Sequence, residues 1–396
     1  MPPTVPAEFW LTDLGFADGT RGDLFVRGGK IASIGQAAGE APRESGTGWL
    51  CLPALVEAHV HLDKTFLGTP WRPHLPGASV AERIRQEKVA LRGLQAPVEV
   101  RGGLLVEREL KFGTGFMRSH VDIDAEVGLR NLESVAEIRR RYADKLDLQI
   151  VAFPQSGILS SPGTDLLLDR ALNEGADVIG GLDPASIDRD PVEHLDIVFG
   201  LAAKYGKDVD IHLHEGGQLG MFELDLICDR AIKYGLGGKT TVSHAYCLGQ
   251  LGGEDLKRIG GRLAAAGVAI LTAVPPVSMP PARALAALGV TVFAGNDNIR
   301  DAWAPFGTGD VLERASMAAF QQSMNTDDEL QFALDMVTTA SARALRLTDY
   351  GIAVGHSADF VLVEAETAAE AVASVPRRRM TYKRGVKVAE LSPAAG

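Results

Sequence analysis

Cysteine is scarce in this chain, and the three present, Cys51, Cys228 and Cys247, are widely scattered and odd in number. That supports neither a disulfide framework nor a clustered thiolate metal site, and it fits a reducing compartment. Positive charge is also short: 40 Lys and Arg face 51 Asp and Glu, for a net charge of -11. Without a broad basic surface to neutralise phosphates, nucleic acid and anionic membranes are not expected partners. No stretch offers the roughly 20 uninterrupted apolar residues of a membrane span. The N-terminal MPPTVPAEFWLTDLG lacks the basic region and apolar run of a secretory signal. No low-complexity tract or solenoid-period repeat is evident. A cytoplasmic location and a small-molecule partner are the expectations, and a homo-oligomer is compatible with them.

What is present is 396 residues, 46% of them hydrophobic, enough for one large domain or a large and a small one. Between Val56 and Asp297 a short apolar run enters a polar cluster and is followed by a longer segment of helical period, eight times over: LVEAHVH, GFMRSH, LQIVAFPQ, DVIGGLD, VDIHLHE, TVSHAY, VAILTAVPP and VTVFAGND. This alternation predicts a parallel sheet with crossover helices. Eight units over this length fit an α/β fold of the (β/α)8 TIM-barrel type, whose functional groups sit at the C-terminal strand ends. His59, His61, His120, Gln155, Asp183, His212, Glu215, His244 and Asp297 fall where that rule places them. A doubly wound sheet would not need site-like residues after nearly every strand.

A Pro- and Gly-rich excursion, LGTPWRPHLPG, follows the first strand and could serve as a lid; Ser79 and Glu82 then have capping-box spacing for a helix. Two further helical segments are expected after the eighth strand, the second opening at Thr326 with Glu329. The terminal pieces read as short strands broken by Gly-containing turns. They predict a small β-sandwich domain from residues 1–51 and 346–396, flanking a barrel over 52–345.

His59-Val60-His61 ends the first strand. Because side chains alternate faces along a strand, both imidazoles point into the barrel mouth, where two nitrogens on one side can hold one metal ion. Taken alone, such a pair is equally consistent with polar strand-end packing. His212, His244 and Asp297 end later strands of the same set, so the barrel would gather them around one axis. Imidazole and carboxylate ligands suit Zn or Fe(II), and a coordination position left for water marks a catalytic site.

The blocks LPALVEAHVHLDKTF, MRSHVDID, IVAFPQSG, IHLHE, VSHAY and GNDNIRDAWAPFG, with the terminal GKIASIG and YGIAVGHSADFVLV, resemble those of the cytosine deaminase-like amidohydrolases, in order and over nearly the whole chain. The resemblance implies that His59, His61, His212 and Asp297 hold the metal, that His244 is the base acting on its water, and that Glu215 is the proton shuttle. It also implies that Gln155 contacts the ring's amide edge. The implied reaction is hydrolytic deamination of a cytosine-like heterocycle with release of ammonia. The residue types suit these tasks, since a metal lowers a water's pKa, a neutral imidazole accepts its proton and a carboxylic acid protonates a ring nitrogen and the leaving amine. The unrelated zinc deaminases with a C-x-x-C motif are excluded, because the chain has none.

Two-metal relatives carry a bridging lysine after the fourth strand. DVIGGLDPAS has none, and Lys64 follows the wrong strand, so a single divalent ion is expected. Asn298 stands where cytosine deaminases have a second aspartate. The segments GGLDPA, SHAYC, HLDKTF and DNIRDAWAPFG are closer to the N-isopropylammelide amidohydrolase-like branch, which removes an alkylamine from a triazine, although that branch has Asp where Glu215 stands here. Asp183, Asn298, Asp301 and Trp303 are the candidate specificity residues, with barrel-top packing the plain alternative for Trp303. His120 and His214 are candidates for substrate or ligand orientation, whereas His74, His194 and His356 read as structural or exposed. A catalytically silent metabolite-binding barrel is the remaining alternative, opposed by the complete set of base, shuttle and ligands.

Overall fold

The computed structural model describes residues 8–392; the ends of the predicted small domain, 1–7 and 393–396, lie outside them. Five strands open the chain: β1 (Glu8–Phe16), β2 (Arg21–Arg27), β3 (Lys30–Gly35), β4 (Arg43–Ser45) and β5 (Leu50–Pro53). Eight more follow as β6 (Leu55–Val60), β7 (Thr114–Asp122), β8 (Asp147–Phe153), β9 (Val178–Leu182), β10 (Asp208–Leu213), β11 (Thr240–His244), β12 (Val268–Thr272) and β13 (Val292–Ala294). The last three are β14 (Phe360–Val363), β15 (Arg379–Lys383) and β16 (Val386–Leu391).

Strands β6 to β13 pair in sequence order, every pair parallel. They correspond one for one to the eight apolar runs. Their buried faces read as near-continuous apolar runs, as expected for strands covered by helices outside and side chains inside. The seam between β13 and β6 is closed just beyond the strands. The Asp297 N–H donates to the carbonyl of His59 at 2.6 Å, and Val60 bridges Asp297 in parallel. Glu57 reinforces it by accepting from the N–H of His59 and from the N–H and side-chain amide of Asn296. Gly295 permits this approach, because a Cβ there would lie 2.7 Å from the His59 nitrogen.

The terminal strands form a second sheet, in order β16-β15-β14-β5-β1-β2-β3 with β4 on β1, around a core that includes Phe9, Leu24, Phe360 and Tyr382. This is the small β domain predicted from both termini. It is tied to the barrel by the fully buried Arg379, whose guanidinium donates to both carboxylate oxygens of Asp310 at 2.8 and 2.7 Å.

The helix signals hold. The Ser79 hydroxyl accepts from the Glu82 N–H at the start of Val80–Arg92, and Thr326 with Glu329 forms a capping box before Asp327–Asp335. The two helices expected after β13 are present at Val311–Gln321 and Asp327–Asp335. A third, Thr339–Ala344, was not anticipated, being six residues long and too short to show periodicity. Among the described residues no helix is long and apolar enough to cross a membrane.

Candidate metal centre and active site

The C-terminal ends of β6, β10, β11 and β13 bring His59, His61, His212, His244 and Asp297 to one point. Single donor atoms of His59, His61 and His212 lie within 4.8 Å of one another, as do those of His59, His244 and Asp297. The nearer oxygen of Asp297 is 3.3 Å from Nε2 of His61 and 3.6 Å from Nε2 of His59. Asp183, His244 and Asp297 all have left-handed backbone, with φ of 37°, 73° and 62°. Non-glycine residues adopt this region at a cost of order 1–3 kcal/mol each, a strain typical of strand ends that aim side chains into a site.

Burial, then the charge of neighbouring groups, holds the imidazoles neutral. His59 and His212 are pushed well below the usual histidine range, His61 to about 3 and His244 to about 4. Burial would raise the Asp297 carboxyl, but His61 and the other imidazoles outweigh it and hold Asp297 well below the carboxylate range. Among the described residues, the buried nitrogens on His59 (Nε2), His212 and His244 (both ring nitrogens) find no hydrogen-bond partner. Buried polar atoms are ordinarily paired. Converging lone pairs beside an ionised carboxylate are the donor set a divalent cation requires, and they fit Zn or Fe(II).

The His59 ring is oriented from behind. Its Nδ1 lies 3.1 Å from the Ser243 hydroxyl, which donates to Asp210 at 2.7 Å. With that hydrogen spent on Asp210, Ser243 accepts from Nδ1–H, which leaves Nε2 as the ligand nitrogen. Asp210 is ionised despite complete burial, because His120 and Arg118 outweigh the desolvation.

A cavity opens beside this cluster, walled by His61, Lys64, Gln155, Leu182, His212, His214, His244, Asp297, Asn298 and Trp303. Gln155, Asn298 and Trp303 line this cavity. His120 does not: it is fully buried and stacked beneath His59 at 3.9 Å between ring centroids. Asp183 is also absent from the wall, its oxygens taken by the backbone N–H and Nδ1 of His214 at 2.6 and 2.8 Å. His214 itself is in the site, raised in pKa by Asp183 against the pull of burial, and stacked on His244 at 4.5 Å. Asp301 accepts from the side chain of Asn298 and from two backbone N–H groups, including that of Trp303.

Glu215 is buried, and one of its oxygens accepts from both the N–H and the hydroxyl of Ser186, at 3.1 and 2.9 Å. Desolvation, followed by the facing Asp183, pushes its carboxyl up to about 9. Sequence reasoning did not single out Ser243, Asp210, Ser186 or Glu87, although the first three lie inside the quoted segments, because the contacts that give them a role are long-range. Their partners lie 184 (Ser243 to His59) and 29 (Ser186 to Glu215) positions away in the chain.

Known proteins share this architecture. The sequence pattern of the Amidohydrolase family matches residues 94–389. The crystal structure of N-isopropylammelide isopropylaminohydrolase from Burkholderia multivorans superposes with a TM-score of 0.92 at 40% identity, covering 97% of this chain and 99% of that one. The 5-methylcytosine deaminase from Klebsiella pneumoniae, liganded with phosphonocytosine, gives a TM-score of 0.87 at 27% identity, covering 98% and 99%. N-isopropylammelide isopropyl amidohydrolase of a Pseudomonas species is 31% identical over 350 residues, 85% of each chain. On this sequence match and this barrel, the chain belongs to the amidohydrolase family and is a hydrolase of C–N bonds other than peptide bonds.

Proposed function

We infer that the protein is a hydrolytic deaminase that releases ammonia from a cytosine-like aminated heterocycle, with one divalent ion, Zn or Fe(II), held by His59, His61, His212 and Asp297. The observation that carries this reading is Glu215, a buried carboxyl pushed up to about 9 and therefore protonated at neutral pH, beside the cavity-lining His214. A neutral carboxylic acid in that position is a proton donor. When bound, the ion would supply Lewis-acid charge that lowers the pKa of a water and stabilises the negative charge that develops on oxygen as the ring carbon is attacked.

The chain's own residues do the rest. Neutral His244, with both ring nitrogens unpartnered, accepts the proton of the attacking water. Glu215 protonates a ring nitrogen; its carboxylate, stabilised by Ser186, takes up the second proton of the attacking water as the ring carbonyl forms and passes it to the departing amine, after which the proton held by His244 restores the acid. Asp183 fixes His214 against His244, keeping that imidazole in place. Gln155, Asn298 and the Trp303 ring, which line the cavity, bind the substrate. The expected partner is accordingly a small heterocycle.

A second reading, removal of an alkylamine from a triazine, is favoured by the 40% identity to N-isopropylammelide isopropylaminohydrolase. Ammonia and alkylamine release by metal-loaded protein from cytosine, isocytosine and N-alkylamino triazines separates the two. Ammonia from the aminated rings supports deamination, while alkylamine from triazines alone supports the second. Absence of turnover on every ring contradicts both.

A further inference from the structure

One charged side chain in the cavity wall has no part in the proton transfers. Lys64 lies in the turn after β6, its side chain 2% exposed, and it lines the cavity with Gln155 and Trp303. Its ammonium sits 3.1 Å from Asp122 and 3.4 Å from Glu87. The same Glu87 oxygen accepts the indole N–H of Trp303. Glu87 comes from the helix Val80–Arg92, which follows the Pro- and Gly-rich excursion, and there it is one of only two buried side chains, the other being Ile84. A buried lysine carboxylate-paired on two sides is costly to keep. For packing alone, an apolar side chain would serve as well.

The geometry points to Lys64 as a specificity-determining residue that donates a hydrogen bond to an exocyclic oxygen of the substrate ring, with Glu87 as the positioning residue that holds Lys64 and Trp303 in register. This rests on the heterocycle-hydrolase reading above and narrows it to oxo-bearing aminated rings. An ammonium has three N–H donors and no acceptor. Asp122 and Glu87 flank the ammonium as ion-pair partners on two sides, and the side that faces the cavity keeps a donor for a ligand. A ring carbonyl or its enolate accepts that donor, whereas an amino group at the same ring position would set donor against donor. Gln155 offers one donor and one acceptor, the complement of a ring –NH–C(=O)– edge. The indole N–H of Trp303 is spent on Glu87, so its contribution to the ring is its face.

The test compares kcat/KM, or the competitive inhibition constant where a ring is not turned over, for cytosine and 2,4-diaminopyrimidine and for the corresponding oxo and amino triazines. It uses metal-loaded wild-type protein, K64M and E87Q, with metal content and thermal midpoint recorded for each. A site built to bond a polar group discriminates strongly against analogues that lack it, so K64M is expected to lose about 100-fold or more in kcat/KM on the oxo rings. It should also lose the preference for oxo over amino, at wild-type metal content. E87Q should raise KM for the oxo rings with kcat near wild type. A folded, metal-replete K64M that keeps the wild-type preference overturns the assignment. If K64M does not fold, E87Q decides, and an unchanged KM overturns it. Turnover with an undiminished preference overturns this inference alone; wild-type protein that neither turns over nor binds any ring overturns the functional reading along with it.

Discussion

The Ser243 hydroxyl stands between two residues of the barrel interior, accepting from Nδ1 of His59 at 3.1 Å and donating to Asp210 at 2.7 Å. This pair of bonds settles which nitrogen of His59 faces the metal centre, and it ties β11 to both β6 and β10 directly beneath the ligands. Removing such a partner typically costs about 10–100-fold in metal affinity. S243A should therefore lose Zn to a chelator at correspondingly lower concentration, measured by competition titration. Wild-type affinity would show that the bond does not orient the ligand.

E215Q removes the proton donor while keeping shape and the Ser186 bonds. General acid–base groups contribute about 10²–10⁴-fold, so kcat should fall by that factor with metal content unchanged. Retained kcat would remove Glu215 from the mechanism.

The pH dependence follows from two groups. Glu215 works protonated and is raised by burial and Asp183 to about 9, so activity is lost as pH rises through that value. His244 works neutral and is lowered by burial to about 4, so activity is lost as pH falls through that value. Because the facing Asp183 raises Glu215, D183N should move the basic limb of the kcat/KM profile to lower pH. A basic limb that stays in place would assign it to another group.

The link between the small β domain and the barrel is open to a stability measurement. R379A leaves Asp310 buried without its partner, and breaking a buried pair in this way costs about 3–5 kcal/mol. Urea denaturation should show that loss, and the metal content of the folded fraction should equal wild type. A shift under 1 kcal/mol would contradict the role given to the pair.

The sequence carried the barrel because each strand is an apolar run that ends in a polar residue, and it carried His59 and His61 because alternation puts them on one face. His212, His244 and Asp297 were legible as strand ends, and the structure places them together. What was not legible depends on long-range pairing. Ser243 reads as an ordinary strand serine until Asp210 is found next to it on the neighbouring strand. Glu87 reads as one of several charges on an amphipathic helix until the fold presses it against Lys64. His214 is undecided by spacing alone, and only the Asp183 carboxylate brings it into the site. His120 shares the strand-end signal of the ligands but lies beneath His59, because β7 runs on to Asp122 and leaves it inside the strand rather than at its mouth.

The most direct test of the account is ammonia release from cytosine-like rings by protein stripped of metal and then titrated with Zn or Fe(II). The account predicts no release without metal and full activity at one equivalent per chain, with none of it recovered in H244A. Activity in the stripped protein, a requirement for two equivalents, or full turnover by H244A would contradict it.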